Sequence, residues 1–433
     1  MENKLMPIGK LFNLEKGQLQ STKCTPGEYD FITAAAEWKS HNEYNHEGEA
    51  LIFAAAASGS LGRTHYVDGK FISSDLCFIL TPKNEQKYPL NLAFYHFVFN
   101  SLRPVIVTAT KSGTSKESIN QTNFKKYKLP YFNIDQQDLW MGTLKNTQVK
   151  KELLISELSL QQTLLKKLRQ SILQDAISGK LTQQWRKKNP DVEPASELLK
   201  RIKAEKDRLV KEKKIKKQKP LPPITEDEIP FELPKGWAWC RLGDVCLNMS
   251  TGPFGSMLHK SDYVGDGIPL VNPINLINNK IYPNNKMMVN EKTKSRLSQF
   301  VLKAGDIVIA RRGDLSKCAI VSDREAGWLC GTGSFFISIS KYISQYFFLY
   351  FYISNFCQGI LNNNSVGSTM NNLNQKLLQN LPLPFAPKEE QKNIIDLIQK
   401  AYNICDELES QSTKSQQDSE MLMQAVLKEA FEG

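Results

Sequence analysis

At 433 residues, with 41% hydrophobic side chains and a net charge of +11, the chain is too long for one ordinary domain and apolar enough for roughly two or three packed cores. No stretch of about 18 apolar residues occurs, and the opening "MENKLMPIGK" lacks an apolar leader core, which excludes a membrane span and points to the cytoplasm. The eight cysteines show no CxxC pairing and no histidine cluster beside them, which argues for a reduced protein without a zinc site.

Taken in chain order, the first elements are short. "IGKLFNLEKG" (8–17) is followed by "EGEALIFAAAASGSLGRTHYVDG" (47–69), whose β-branched and aromatic runs between Gly, Asn and Asp turns predict strands. "KSGTSKESINQTNFKKYKLPYF" (111–132) closes this mixed α+β unit. A long helix comes next. Leu154, Leu158, Leu165, Leu168 and Ile172 step by 4, 7, 3 and 4, with Gln161 at the vacant place of an a/d seam, and Gly179 suits its C-terminal cap.

From Arg186 to Pro220, 14 Lys/Arg stand against six Asp/Glu, so most of the net charge lies in one segment. A solvated charged helix and a nucleic-acid contact are both open for such a run. "LGDVCLNMSTG" (242–252), "KAGDIVIARRGDLSKCAIVSD" (303–323) and "SVGSTMNNLNQKLLQNLPLPF" (365–385) form a second mixed unit. Within it, "YISQYFFLYFYI" (342–353) reads as an apolar surface that needs cover. Pro384 and Pro387 precede a last helix in which Ile394, Ile398, Ala401, Cys405 and Leu408 again keep a/d spacing. Either the two long helices pair with each other, or each packs on its own unit.

The second half repeats the first. "QSILQDAISG" (170–179) aligns with the closing "QAVLKEAFEG" (424–433) at an offset of 254, with Leu173 on Leu427 and Gly179 on Gly433. The segments beginning at 8, 47 and 111 align in the same order with those at 242, 303 and 365. Such ordered matches predict a two-fold pseudo-repeat rather than a solenoid.

The order of "AISGKLTQQW", "ELLKRIKAEKDRLVKEKKIKK", "LPKGWAWCRLGDV", "TGPFGSMLHKSDY" and "LPLPFAPKEEQKNI" resembles the specificity subunit of type I restriction–modification systems over essentially the whole chain. It departs in the first unit, where "YFNIDQQ" (131–137) stands for "PFAPKEEQ" (384–391). The resemblance implies an α+β protein with two target-recognition domains in tandem, separated and followed by long helices forming an antiparallel coiled coil. It implies a target-recognition domain at 1–135, a spacer helix at 136–182, a basic helical linker at 183–232, a second target-recognition domain at 233–386 and a second spacer helix at 387–433. One half of a split, asymmetric DNA sequence would be read by each domain. Two methyltransferase subunits, and through them restriction/translocase subunits, would dock around a pseudo-two-fold axis. S-adenosylmethionine, ATP and Mg would sit on those partners, with no cofactor and no metal in this chain.

An enzyme reading lacks its motifs. There is no G-x-x-x-x-G-K-[ST] loop, H-E-x-x-H or G-x-S-x-G, and "NPIN" (272–275) lacks the second proline and aromatic of an adenine-methyltransferase element. No RNP or KH signature supports RNA binding. A sequence-specific DNA-binding scaffold without restriction partners is the alternative. Polar, glycine-containing loops are the expected base readers. They nominate Ser58, Ser60, Arg63, Lys111, Ser112, Thr114 and Lys116 in the first unit, and Ser256, Lys260, Arg311, Arg312, Lys317, Ser368 and Asn371 in the second. Arg and Asn carry base discrimination, at about 1–3 kcal/mol per bidentate contact, whereas Lys holds phosphate. Trp185, Trp237 and Trp239 are expected to pack at domain junctions.

Overall fold

The computed structural model describes residues 4–57, 59–113, 117–284, 286–364 and 373–432. The chain divides into two compact units, one formed by residues 1–161 with 411–433 and the other by 162–410.

Unit 1 is built on a six-stranded sheet. Its strands run Phe12–Lys16, Cys77–Pro82, His46–Ala54, Thr64–Ser73, Tyr29–Ile32 and Lys39–His41 in spatial order. All neighbours are antiparallel except Tyr29–Ile32 beside Thr64–Ser73. Alternation along the central strand explains its unbroken apolar run. Leu51 and Phe53 face a core with Phe12, Leu80, Phe99 and Phe124, while Ala50, Ile52 and Ala54 face a second core with Ile32, Phe71 and Ile79. A strand covered on both faces loses the polar alternation of a half-exposed one. Each fully buried Phe contributes about 1.5–3 kcal/mol. The helix Leu92–Ser101 covers the first face, and Asn91 caps it by accepting the Phe94 N–H at 3.0 Å.

Unit 2 has a four-stranded antiparallel sheet in the order Cys246–Thr251, Ser334–Ile339, Ile307–Ala310, Cys318–Ile320. A second small sheet joins Tyr263–Val264, Met288–Val289, Ile268–Val271 and Leu329–Cys330. The apolar run at 342–353 is not a surface. It forms the helix Gln345–Tyr352, in which Phe347 through Tyr352 are all buried, because six consecutive large apolar side chains can be covered on every side only inside a core. The basic segment folds partly as the helix Ala195–Lys211, which buries Ala195, Leu198 and Ile202 in the core of unit 2 and turns most of its charges outward.

Positions that align between the two sequence halves make the same bonds. Lys4–Pro7 pairs with Lys128–Tyr131, and Ala238–Arg241 pairs with Pro382–Phe385. The Ile8 N–H donates to the Tyr127 carbonyl at 2.8 Å, and the Leu242 N–H donates to that of Leu381 at 2.8 Å. Asn120 and Asn374 each cap a short helix by accepting a backbone N–H three residues on. Gln137 and Gln391, 0% and 1% exposed, each donate Nε2 to the carbonyl five residues earlier at 2.8 Å. Their Oε1 atoms accept the backbone N–H of Asn91 and of Ser344, each of which precedes a core helix.

The long helices run from Ile134 to Ile177 and from Lys388 to Glu432. Burial in the inner helix recurs at Ile155, Leu158, Gln162, Leu165, Arg169, Leu173 and Ala176, steps of 3 and 4. This corrects the expected seam by about one residue. Leu154 and Leu168 are 36% and 47% exposed, and Leu408 of the terminal helix is 46% exposed. In unit 2, Arg169 takes the place expected for Leu168. Its guanidinium lies 5.0 Å from the Tyr402 ring centroid and pairs with Asp406 at 2.6 Å and Glu409 at 3.2 Å. A long cationic side chain can thus cover apolar surface with its stem while its head stays paired.

Candidate nucleic-acid interface

In unit 1 the central hairpin opens into a loop after Ala54, and backbone bonding draws a second loop to it. Ala56 bridges Ser118, and the Ile119 N–H donates to the Ala55 carbonyl at 2.7 Å. The loop bearing Ser60 and Arg63 therefore sits beside the hairpin bearing Lys111 and Ser112. Ser58, Thr114 and Lys116 lie outside the described residues. Arg63 is partly committed, since its Nη1 donates to the Ala34 carbonyl at 3.1 Å and to Ser60 Oγ at 3.3 Å. Lys111 pairs across its hairpin with Glu117 at 2.7 Å, and both are exposed enough for solvent to compete.

Arg103 is a loop-holding group that sequence reading missed. It reaches from the next helix to the carbonyls of Leu61 at 2.7 Å and Gly59 at 3.0 Å. Burial and the neighbouring Arg63 charge lower its pKa. Nearby, Trp38 Nε1 donates to His65 Nδ1 at 3.2 Å, so the ring's other nitrogen carries the proton toward the Ala35 carbonyl at 2.8 Å. Burial, and then the Arg63 charge, lower the His65 pKa below its ordinary 6.5, which matches this neutral tautomer. The edge of the loop is thus a cationic and aromatic cluster fixed by backbone carbonyls. No local motif signals it, because its members come from residues 34 to 103.

In unit 2, three strand ends meet at one edge. Thr251 pairs with Phe335 and Ala310 with Ser334, so the loops after residues 251 and 310 leave from the same side of the sheet. The Arg311 N–H donates to the Gly333 carbonyl at 2.8 Å, and the Gly333 N–H donates to Asn272 Oδ1 at 3.2 Å. Lys317 Nζ reaches the Pro273 carbonyl at 3.4 Å. Arg311, Arg312 and Lys317 therefore share one turn, held against the "NPIN" segment, which is a capped turn with Asn275 buried.

Arg312 is exposed, while the Arg311 guanidinium lies 6.0 Å from the Phe335 ring. Ser256 and Lys260 are exposed on a segment pinned by Arg296, which donates to the Met257 carbonyl at 2.5 Å and to Asp262 at 2.8 Å. The backbone N–H of His259 and then Arg296 hold the Asp262 carboxyl below its usual range. Ser368 and Asn371 lie outside the described residues, although the Leu373 N–H donates to the Arg311 carbonyl at 3.0 Å.

Two of the three tryptophans, Trp237 and Trp239, pack. Trp237 is 9% exposed and donates Nε1 to Glu390 at 2.9 Å, and Trp239 lies 5.3 Å from Phe231. Among the described residues, no group of three His, Cys, Asp or Glu could hold a metal ion, and no helix is long and apolar enough to cross a membrane.

A family model for the type I restriction modification DNA specificity domain matches residues 2–153 and 234–416. The EcoEI type I restriction enzyme specificity subunit of Escherichia coli is 33% identical over 60% of this chain and 44% of its own length. The EcoAI specificity subunit is 35% identical over 61% of this chain and 44% of its length. The chain therefore spans less than half of these two relatives. The EcoDI specificity subunit aligns over 99% of this chain and 88% of its length at 23% identity. Among solved structures, the HsdS subunit from Thermoanaerobacter tengcongensis matches with a TM-score of 0.56 at 16% identity, covering 99% of this chain and 96% of that one. A chain from a study of type I R-M complex assembly and conformational transition matches with a TM-score of 0.62 at 17% identity, covering 99% and 97%. At these identities the likeness is one of fold.

Proposed function

We propose that this chain, which belongs to the type I restriction modification DNA specificity family, reads a split DNA target with one loop cluster per unit and catalyses nothing itself. The observation that carries this reading is the shared frame with unlike loops. The strand ribbon, the Asn-capped helix and the buried glutamine are the same in both units, but the loop ends differ. Arg311 and Arg312 stand where unit 1 has Ala55 and Ala56, matched by the bonds to Leu373 and Ile119. A constant frame with different readers suits an asymmetric target of two half-sites, because phosphate contacts position a reader and loop side chains specify the base. On this reading the seams of the long helices form an antiparallel coiled coil. It spaces the units and docks two methyltransferase subunits, which bring S-adenosylmethionine and, with restriction/translocase subunits, ATP and Mg.

Methylation mapping of the host genome with and without the gene tests the proposal. A bipartite methylated motif that disappears with the gene is the expected result; a methylome unchanged by the deletion would refute it.

A further inference from the structure

Unit 1 carries a cleft of about 690 Å³ next to the Lys4–Pro7 ribbon, lined by Lys10, Lys83, Lys87, Lys125 and Lys126 around Tyr88, with no carboxylate among the lining residues. Lys83 Nζ donates to the Gly9 carbonyl at 3.0 Å, and the Lys10 and Lys87 ammonium groups lie 6.0 and 5.7 Å from the Tyr88 ring centroid. Five like charges around one concavity repel one another and raise its potential, a cost to the fold that an anionic occupant would relieve.

The equivalent position in unit 2 is filled by the chain itself. Gly243 aligns with Gly9, and a Cβ built on it would meet Leu221 Cδ1 at 2.7 Å, whereas at Gly9 the nearest atoms belong to Lys125, whose aligned partner is Gln379. Lys206 Nζ donates to the Gly243 carbonyl at 2.8 Å, as Lys83 does to Gly9. Arg241 holds the carbonyls of Pro222 and Pro223 at 3.1 and 2.7 Å and forms a two-pronged pair with Glu228 at 2.7 Å. That pair drives the Glu228 carboxyl down to about 2. The filler is thus a proline-rich stretch leading into the acidic turn Glu226–Glu228. Around it, Asp244, Gln379 and Asn380 stand where unit 1 has Lys10, Lys125 and Lys126.

We infer that the open cleft of unit 1 docks an extended, acidic, proline-containing peptide segment of another polypeptide. The pseudo-repeat supplies the shape, since the same ribbon and glycine accept such a segment in unit 2. The lysines supply the charge complementarity that Arg241 gives to Glu228 there. A sugar–phosphate backbone would satisfy the lysines but carries no branched aliphatic side chain to set against Gly9 as Leu221 sits against Gly243. The inference does not depend on which DNA the loops read.

Fluorescence anisotropy of the full chain with a labelled peptide of the sequence KPLPPITEDEIP, residues 219–230, tests it. Saturable binding is expected, weakened at least about tenfold by the triple variant Lys10→Asp, Lys125→Gln, Lys126→Asn. That variant writes unit 2's residues into unit 1, and an unchanged thermal melt checks its fold. Should it unfold, Lys125→Gln alone, an exposed change, is expected to weaken binding about threefold. Absent peptide binding, or binding that the folded variants leave unchanged, overturns the inference. So does a labelled random DNA duplex that loses tenfold in affinity with the triple variant while the peptide does not bind, since the cleft would then be a phosphate site.

Discussion

Gln137 and Gln391 show how much one buried side chain can hold. Gln137 donates to the carbonyls of Phe132 and Pro89, at 2.8 and 2.9 Å, and accepts from Asn91 at 2.7 Å, tying the start of a long helix to the cap of a core helix. Removing such a group leaves several backbone groups buried without partners, which costs more than the net worth of the bonds themselves. Gln137→Leu is therefore expected to destabilise the protein by about 2–4 kcal/mol. Lys111→Ala, at an exposed ion pair, is expected to stay within about 0.5 kcal/mol. Urea titrations followed by circular dichroism compare the two, and near-equal midpoints would remove the structural role assigned to the glutamine. Nothing in "YFNIDQQ" marks Gln137 as more important than Gln136, because its partners at 89 and 91 are brought to it only by folding.

At the scale of elements, both long helices were legible as helices, but the phase of the inner one was not. Heptad spacing carried the buried face of the terminal helix through Ile398 and Cys405, and the pattern continues at Ser412, Ser419 and half-buried Val426. Serine does not register as a seam residue in a hydrophobic pattern, yet both are 4% exposed, and neither hydroxyl has a hydrogen-bond partner among the described residues. A buried, unmatched hydroxyl costs stability, and alanine is the better helix former. The double variant Ser412→Ala, Ser419→Ala is expected to raise stability by about 1–2 kcal/mol, read as a higher melting temperature by calorimetry. A lower melting temperature would mean that the hydroxyls are bonded within the seam.

Over the whole molecule, the expectation rests on the likeness between the halves. If each unit reads its own half-site, replacing residues 233–386 with the matching part of a relative is expected to change one half of the methylated motif and leave the other half unchanged. Methylome mapping of the hybrid decides this, and a motif altered in both halves would rule out independent readers.

The sequence by itself determined the period of the repeat, the mixed class of the units and the two long helices. These follow from composition, local periodicity and turn chemistry, which act over a few residues. It also pointed to the loops, since Gly and polar residues between apolar runs are a local signal. Only the tertiary structure decided that Arg63 spends part of its guanidinium on Ala34, that Arg103 holds the loop and that Arg169 replaces a leucine in the seam. The tertiary structure alone also showed that the basic linker fills a cleft in unit 2 that unit 1 leaves open. Each of these turns on a pairing between residues far apart in the chain, fixed by which surfaces are buried together, and no pattern within a single segment encodes it.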